Sequence, residues 1–329
     1  MPTTFKLVTW NVENLFRPPA GAPQAQQAAY DAKLAFLAQT IGTLDPDVIA
    51  LQEVGGAGAL ADLQNQLGNA FAHSRLGIPD GRGIAVAFLS RLPFQIQQDV
   101  RNFPAEVLAM NVTDIDGQAL QAMGRGAVRV RVSKGPFTTD LITVHLKSKL
   151  LTFPLPNGGT AFSTNDEDLR ARVAALALLR RTAEAATVRL AANNVVVDNQ
   201  VNALAVLGDF NDGPSAATTQ IFQGPDGSEL DTLGFDRPDA GDGARLWNLA
   251  PRMAADRRFS RIHRGQGELL DQIFVSEEYF PREPDQERRL PLEVDAMVET
   301  IRSIGDNPNA RAGEARPDHA PVSAMFEFD

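Results

Sequence analysis

The chain of 329 residues contains no cysteine. That absence excludes disulfide frameworks, thiolate nucleophiles, Cys-ligated zinc and iron–sulfur clusters. It leaves the compartment open, because a cytosolic protein and a secreted one that needs no staple can both lack cysteine. Histidine is scarce as well, with four in the chain, so a closed zinc site is not expected. No stretch approaches ~18 uninterrupted apolar residues, and the sequence therefore predicts no transmembrane helix. Met1 to Trp10 lacks a basic segment followed by an apolar one, the pattern of a signal peptide. The expected location is cytoplasmic, or secreted if a leader has been removed. Bulk positive charge is also missing. The net charge is −10, whereas proteins that hold polyanions by bulk attraction are usually basic.

What remains is a globular composition. Hydrophobic residues make up 43% and charged residues 22%, which argues against wholesale disorder. No mid-chain linker separates two halves, so one domain over residues 1–329 is expected. The charge is unevenly spread: residues 121–190 hold eleven Arg or Lys and five acids. Such a region can hold phosphate, especially with a divalent cation between the two. Solvated helix and strand faces would look the same.

Apolar runs predict strands at Phe5–Val12, Asp47–Gln52, Gly83–Leu89, Ala127–Val132, Asp140–Leu146, Ala203–Leu207, Leu269–Val275 and Val322–Phe328. Leu34, Leu37 and Ile41 form a helical stripe within Tyr30–Thr43. Further helices are expected at 57–68, 166–192 and Ser215–Phe222, the second N-capped by Thr164 or Asn165. Residues 152–166 read as a loop and 277–317 as a long polar, Pro-rich excursion. Intermixed helices and wholly apolar strands suggest sheets covered by helices.

Polar residues gather where those strands end. Asn11 and Glu13 follow the first and Glu53 follows the second. His145, Lys147 and Lys149 end a third, Asp209 and Asn211 a fourth. Asp271 begins a strand, and Asp318 and His319 precede the last one. Each has a bland reading. Asn11 could serve a turn, Glu53 could face solvent, Asp209 could form an Asx-turn and Asp271 could cap one. The two histidines could be satisfied core residues, and the two lysines, which alternation places on one face, could be ordinary exposed ones. Arg91 could contact phosphate or buttress its loop. Taken together, carboxylates and amide oxygens suit hard cations such as Mg²⁺ or Mn²⁺. Adding a His acid or base and an Asp–His pair gives a kit for phosphoester hydrolysis.

The motifs WNVENLF (10–16), DPDVIALQEV (45–54), GRGIAVAFLSRLPF (81–94), HLKSK (145–149), LGDFND (207–212), LDQIFVS (270–276) and PDHAPV (317–322) occur in that order. This ordered set resembles the endonuclease/exonuclease/phosphatase superfamily, whose fold is like that of pancreatic deoxyribonuclease. The resemblance implies a four-layer α/β sandwich, two mixed sheets face to face with helices outside. It implies a metal at Asn11 and Glu53, with Asp318 near a second cation. It implies that Asp209 orients or deprotonates water and that Asn211 holds a phosphate oxygen or the metal. Asp271 would fix the ring of His319, while His319 and His145 would meet the phosphate. Lys147, Lys149 and Arg91 would bind substrate. The expected cofactor is Mg²⁺, with Mn²⁺ or Ca²⁺ as alternatives. The expected substrate is a phosphoester, foremost nucleic acid, attacked in line by water. Two other readings stay open: hydrolysis of a small or lipid-linked phosphoester, and a non-catalytic scaffold with the same fold.

Overall fold

The computed structural model describes residues 2–155, 159–198, 203–224, 227, 229–230, 232, 234–235, 244–281 and 289–329. The first half contains β1 (Thr3–Leu15), α1 (Gln24–Leu44), β2 (Val48–Val54), α2 (Ala57–Gln66), β3 (His73–Leu76), β4 (Ala85–Ser90) and β5 (Ile96–Asn102). Then come α3 (Ala105–Leu108), β6 (Ala122–Lys134), β7 (Phe137–His145), β8 (Phe153–Pro154), β9 (Thr160–Ala161) and α4 (Glu167–Asp198). The remainder holds β10 (Ala203–Asp209), α5 (Ala217–Gln220), β11 (Trp247–Asn248), β12 (Arg261–His263), β13 (Gln266–Glu268), β14 (Asp271–Val275), β15 (Glu293–Ala296) and β16 (Val322–Phe328).

Two six-stranded mixed sheets result, ordered β15-β16-β1-β2-β4-β3 and β11-β14-β10-β7-β6-β5. Strand alternation builds the layers, because successive side chains point to opposite faces. In β1, Phe5 and Leu7 enter a core shared by both sheets, where they join Val128 and Val130 of β6 and Ala205 and Leu207 of β10. The intervening Val8 and Trp10 pack outward with Leu37 and Ile41 of α1 and Leu60 and Leu63 of α2. The second sheet repeats this. Ile142 and Val144 of β7 and Leu204 and Val206 of β10 face Ala185, Val188 and Ala192 of α4. The order is therefore helices, sheet, sheet, helix: the four-layer sandwich expected from the sequence. No helix among the described residues is long and apolar enough to cross a membrane.

Several local expectations shift. Thr164 and Asn165 do not cap α4: the Asp166 carboxylate accepts from the Leu169 N–H at 2.9 Å, while the Thr164 hydroxyl accepts from Asp166 N–H at 3.1 Å. The helix expected over 215–222 narrows to the single turn of α5. The excursion 277–317 contains β15, which extends the first sheet beyond β16. Edge strands β3 and β5 carry no continuous apolar run, because each has a wet side.

Candidate active site

The polar strand ends belong to the inner faces. Asn11 continues the row Phe5–Leu7–Thr9, Gln52 the row Val48–Ala50, and His145 the row Leu141–Thr143. Asp209 follows Ala205 and Leu207, and Asp271 precedes Ile273 and Val275. All five lie at the same end of the interior, where the apolar core gives way to a polar one. Register sets them abreast: Asp209 is opposite His145 on β7 and opposite Asp271 on β14. Buried Gln52 ties the two sheets together there, bonding Thr9 within its own sheet and donating to the Thr143 hydroxyl of the other at 3.1 Å.

Glycine makes the approach of β10 feasible. Gly208 has φ +148°, and a Cβ there would lie 2.1 Å from the Val144 carbonyl oxygen. Four non-glycine residues around the site also hold left-handed backbone: Glu13 (φ 47°), Asn14 (φ 53°), Glu53 (φ 65°) and Asn211 (φ 53°). Asn adopts this region readily; for Glu it is uncommon and strained. At Glu53 it coincides with a register shift between β1 and β2, which lets the carboxylate turn inward.

The Asn11 amide donates to Asp209 Oδ2 at 2.9 Å and to Glu53 Oε1 at 3.3 Å. The second Glu53 oxygen accepts from Asn14 N–H at 2.9 Å. His145 Nε2 lies 3.5 Å from Asp209 Oδ2 and 3.9 Å from Glu53 Oε1. Burial, followed by the Arg125 charge, holds His145 well below the usual imidazole range, so it is neutral. Asp209 is pushed up to about 6, by burial first and then by the Asp271 carboxylate.

His319 Nδ1 and Asp271 Oδ2 are 2.6 Å apart, both groups buried. Burial alone would lower the imidazole, but Asp271 and then Asp318 outweigh it and raise His319 to about 10. The ring is anchored from behind, since its backbone carbonyl accepts from the Trp10 indole N–H at 2.8 Å. Asp209, Asp271 and His319 each offer a ligand atom within 4.8 Å of the others.

A divalent cation fits this end of the molecule. Glu53 and Asp209 turn hard oxygen donors to this space, and the two carboxylates share the neutral Asn11 amide, whose oxygen accepts from the Glu13 N–H, rather than a cationic side chain. One buried oxygen, Asp271 Oδ1, has no hydrogen-bond partner.

The other sequence candidates scatter more. Asn211 joins the site, its N–H donating to Asp209 Oδ1 and its amide to the Leu146 carbonyl. Asp318 is not one of the Asp209–Asp271–His319 group; it lies 3.4 Å from Arg261, and its charge still helps to raise His319. Lys147 and Lys149 leave β7 and do not share a face. Lys147 donates to the Ser148 and Leu150 carbonyls, whereas Lys149 pairs with Asp212 at 3.0 Å. Arg91 lies at the far end of the sheet, beyond Ser90, which pairs with Val48 rather than with the Glu53 end of β2. There it bonds Asp45 and the Pro46 carbonyl.

Two contributors were not singled out from sequence. Buried Arg125 donates to the Leu146 carbonyl and directs charge toward Glu53, Asp209 and His145. Its signal was available, since extending the β6–β7 register places it beside the HLKSK turn. Arg311 grips Glu13 through two bonds of 2.6 and 2.9 Å. The same carboxylate accepts from Asp318 N–H, so the first and last motifs are strapped together.

The model of the Endonuclease/Exonuclease/phosphatase family matches residues 8–291. The chain belongs to this family. Its members are, as a rule, divalent-metal-dependent phosphoester hydrolases. No curated protein matches by sequence. Among solved structures, TDP2 from Caenorhabditis elegans has a TM-score of 0.56 at 15% identity, covering 99% of this chain and 75% of that one. D. rerio TDP2 complexed with single-strand DNA product gives 0.55 at 14% identity, covering 98% and 99%. The human Nocturnin catalytic domain with bound sulfate gives 0.55 at 13%, covering 99% and 95%. At these identities the likeness concerns the fold.

Proposed function

We propose that this family member is a phosphodiesterase, and specifically an endonuclease with little sequence preference that works with Mg²⁺ or Mn²⁺. The observation that carries the proposal is the convergence of Asn11, Glu53, His145, Asp209 and the Asp271–His319 pair on one polar end of the inter-sheet core. Glu53 and Asn11 would hold the cation, which when bound offsets charge developing on the phosphoryl oxygens. Asp209 is a buried carboxylate whose proton affinity suits it to orient water and accept its proton near neutrality. His319, kept charged and fixed in direction by Asp271, offers Nε2–H to a phosphate oxygen. Neutral His145 and the Asn211 amide complete the cradle. A nucleic-acid substrate accords with the DNA product bound by D. rerio TDP2 and with the basic stretch 121–190.

The test is conversion of supercoiled plasmid to nicked circles with Mg²⁺, with EDTA, and with the Asp209→Ala and His319→Ala proteins. Cleavage that requires the metal and both side chains is expected. A panel of bis-p-nitrophenyl phosphate, a phosphomonoester and phosphoinositides separates the alternatives: turnover of the phosphoinositides with an untouched plasmid would replace the nuclease reading with a lipid-phosphate one.

A further inference from the structure

One exposed aromatic ring borders the site. Phe16 is 39% exposed although it directly follows the wholly buried Leu15. Its ring is seated by glycine: a Cβ at Gly55 would lie 2.3 Å from Phe16 Cδ1, and one at Gly83 would lie 3.7 Å from Cε1. Gly55 comes two residues after Glu53, so at most ~7 Å separates the Cα atoms of the ring's seat and of Glu53. The backbone there is pinned, with Gly55 N–H donating to the Leu15 carbonyl at 2.8 Å and Phe16 N–H to that of Asn14 at 2.9 Å.

The loop that meets the ring also carries a cation. Arg82 adjoins Gly83, and its guanidinium is held by Asp80 at 3.1 Å while staying largely exposed. The Asp80 carboxylate also takes the Arg82 and Ile84 N–H groups at 2.9 and 3.0 Å, which makes the loop rigid. The same loop meets the Phe16 ring at Gly83, so the exposed guanidinium belongs to the residue next to that contact. A flat apolar face beside a phosphate-reading cation, one short step from the reacting centre, matches a nucleotide unit: the base stacks and the next phosphate meets the guanidinium.

We infer that Phe16 and Arg82 form a nucleotide subsite, in which the Phe16 ring stacks on the base flanking the scissile phosphodiester. This rests on the phosphodiesterase reading and deepens it. The subsite accepts any base, because every base has a π face, and it makes the enzyme prefer a base-bearing neighbour over a base-free one. Double-stranded substrate is then cut where a base can leave the stack, so single strands are favoured.

The experiment measures kcat/KM with Mg²⁺ on the dinucleotide TpT and on its two analogues in which one thymidine is an abasic deoxyribose. Wild type should lose roughly tenfold or more on one of the two analogues. Phe16→Leu should lose the same factor on TpT and nothing further on that analogue, whereas Phe16→Tyr should retain the wild-type pattern. As a binding readout, Phe16→Trp fluorescence should be quenched by thymidine 5′-phosphate and unchanged by deoxyribose 5-phosphate. Equal loss on all three substrates, or no loss of discrimination in Phe16→Leu, would overturn the subsite. Asp209-dependent turnover of bis-p-nitrophenyl phosphate without any dinucleotide cleavage would also overturn it, while leaving the hydrolase intact. Failure of every phosphodiester would instead strike the phosphodiesterase reading itself.

Discussion

Two buried aspartates on neighbouring strands show how one fold uses the same charge for opposite ends. Asp140, near the start of β7, is fully buried and receives three bonds of 2.7–2.9 Å from Arg129 and Arg131. Asp209, at the end of β10, is equally buried, yet its partners are the Asn11 amide and the Asn211 N–H, with Asp271 close by. The first carboxylate is neutralised where it lies and ties β7 to β6. The second lacks a directly bonded cationic partner, and burial raises its proton affinity. A buried acid with its own arginines is part of the scaffold; a buried acid without them is available for chemistry.

Exchanging the two acids for amides tests that contrast. Asp209→Asn should cut phosphodiester turnover by roughly 10³-fold, in the range of general-base removal. Its melting temperature should hold or rise, because a buried charge is removed. Asp140→Asn should leave kcat near wild type but cost ~3–5 kcal/mol in chemical denaturation, since two part-buried guanidiniums lose their counter-charge. If instead Asp140→Asn abolishes turnover at full stability, the division of labour is wrong.

The His319–Asp271 pair sharpens the contrast through pH. In the metal-free protein His319 is raised from an ordinary 6.5 to about 10. A raised histidine stabilises the fold fully below its unfolded value, and that contribution fades as pH climbs through the folded one. Stability should therefore decline between about pH 6.5 and 10. Asp209, raised from 3.8 to about 6, should give a separate decline at lower pH. Asp271→Asn should flatten the upper slope, as read by urea midpoints across pH. A slope that survives the substitution would assign it to other groups.

The smallest effect is expected at Arg91. Its ion pair with Asp45 is well exposed, and such pairs contribute ~0–1 kcal/mol. Arg91→Ala should leave KM for plasmid unchanged. A several-fold rise would return Arg91 to the substrate path.

Much of this was legible before the structure, and strand parity explains why. Asn11, His145, Asp209 and Asp271 share the parity of the apolar residues that face the opposite sheet, so a buried strand ending in a polar residue already marks the polar end of the interior. Arg91 failed on the same principle: the run before it belongs to an antiparallel strand, whose C-terminal end points away from the site. The expectation that Lys147 and Lys149 share a face failed because β7 stops at His145, after which alternation no longer applies. Strands β3, β5 and β15 were invisible because edge strands need no continuous apolar run. The bond between Glu13 and Arg311 joins residues 298 positions apart, a distance over which no local pattern speaks.

That strap and the adjacency of β1 to β16, with Thr3 opposite Phe328, have a consequence for the protein's birth. The WNVENLF motif is synthesised well before residues 311–328 and cannot acquire its histidine, its strap or its neighbouring strand until they follow. A chain broken off before residue 311 therefore lacks the strap, the histidine and the closing strand together, and leaves β1 with an open edge.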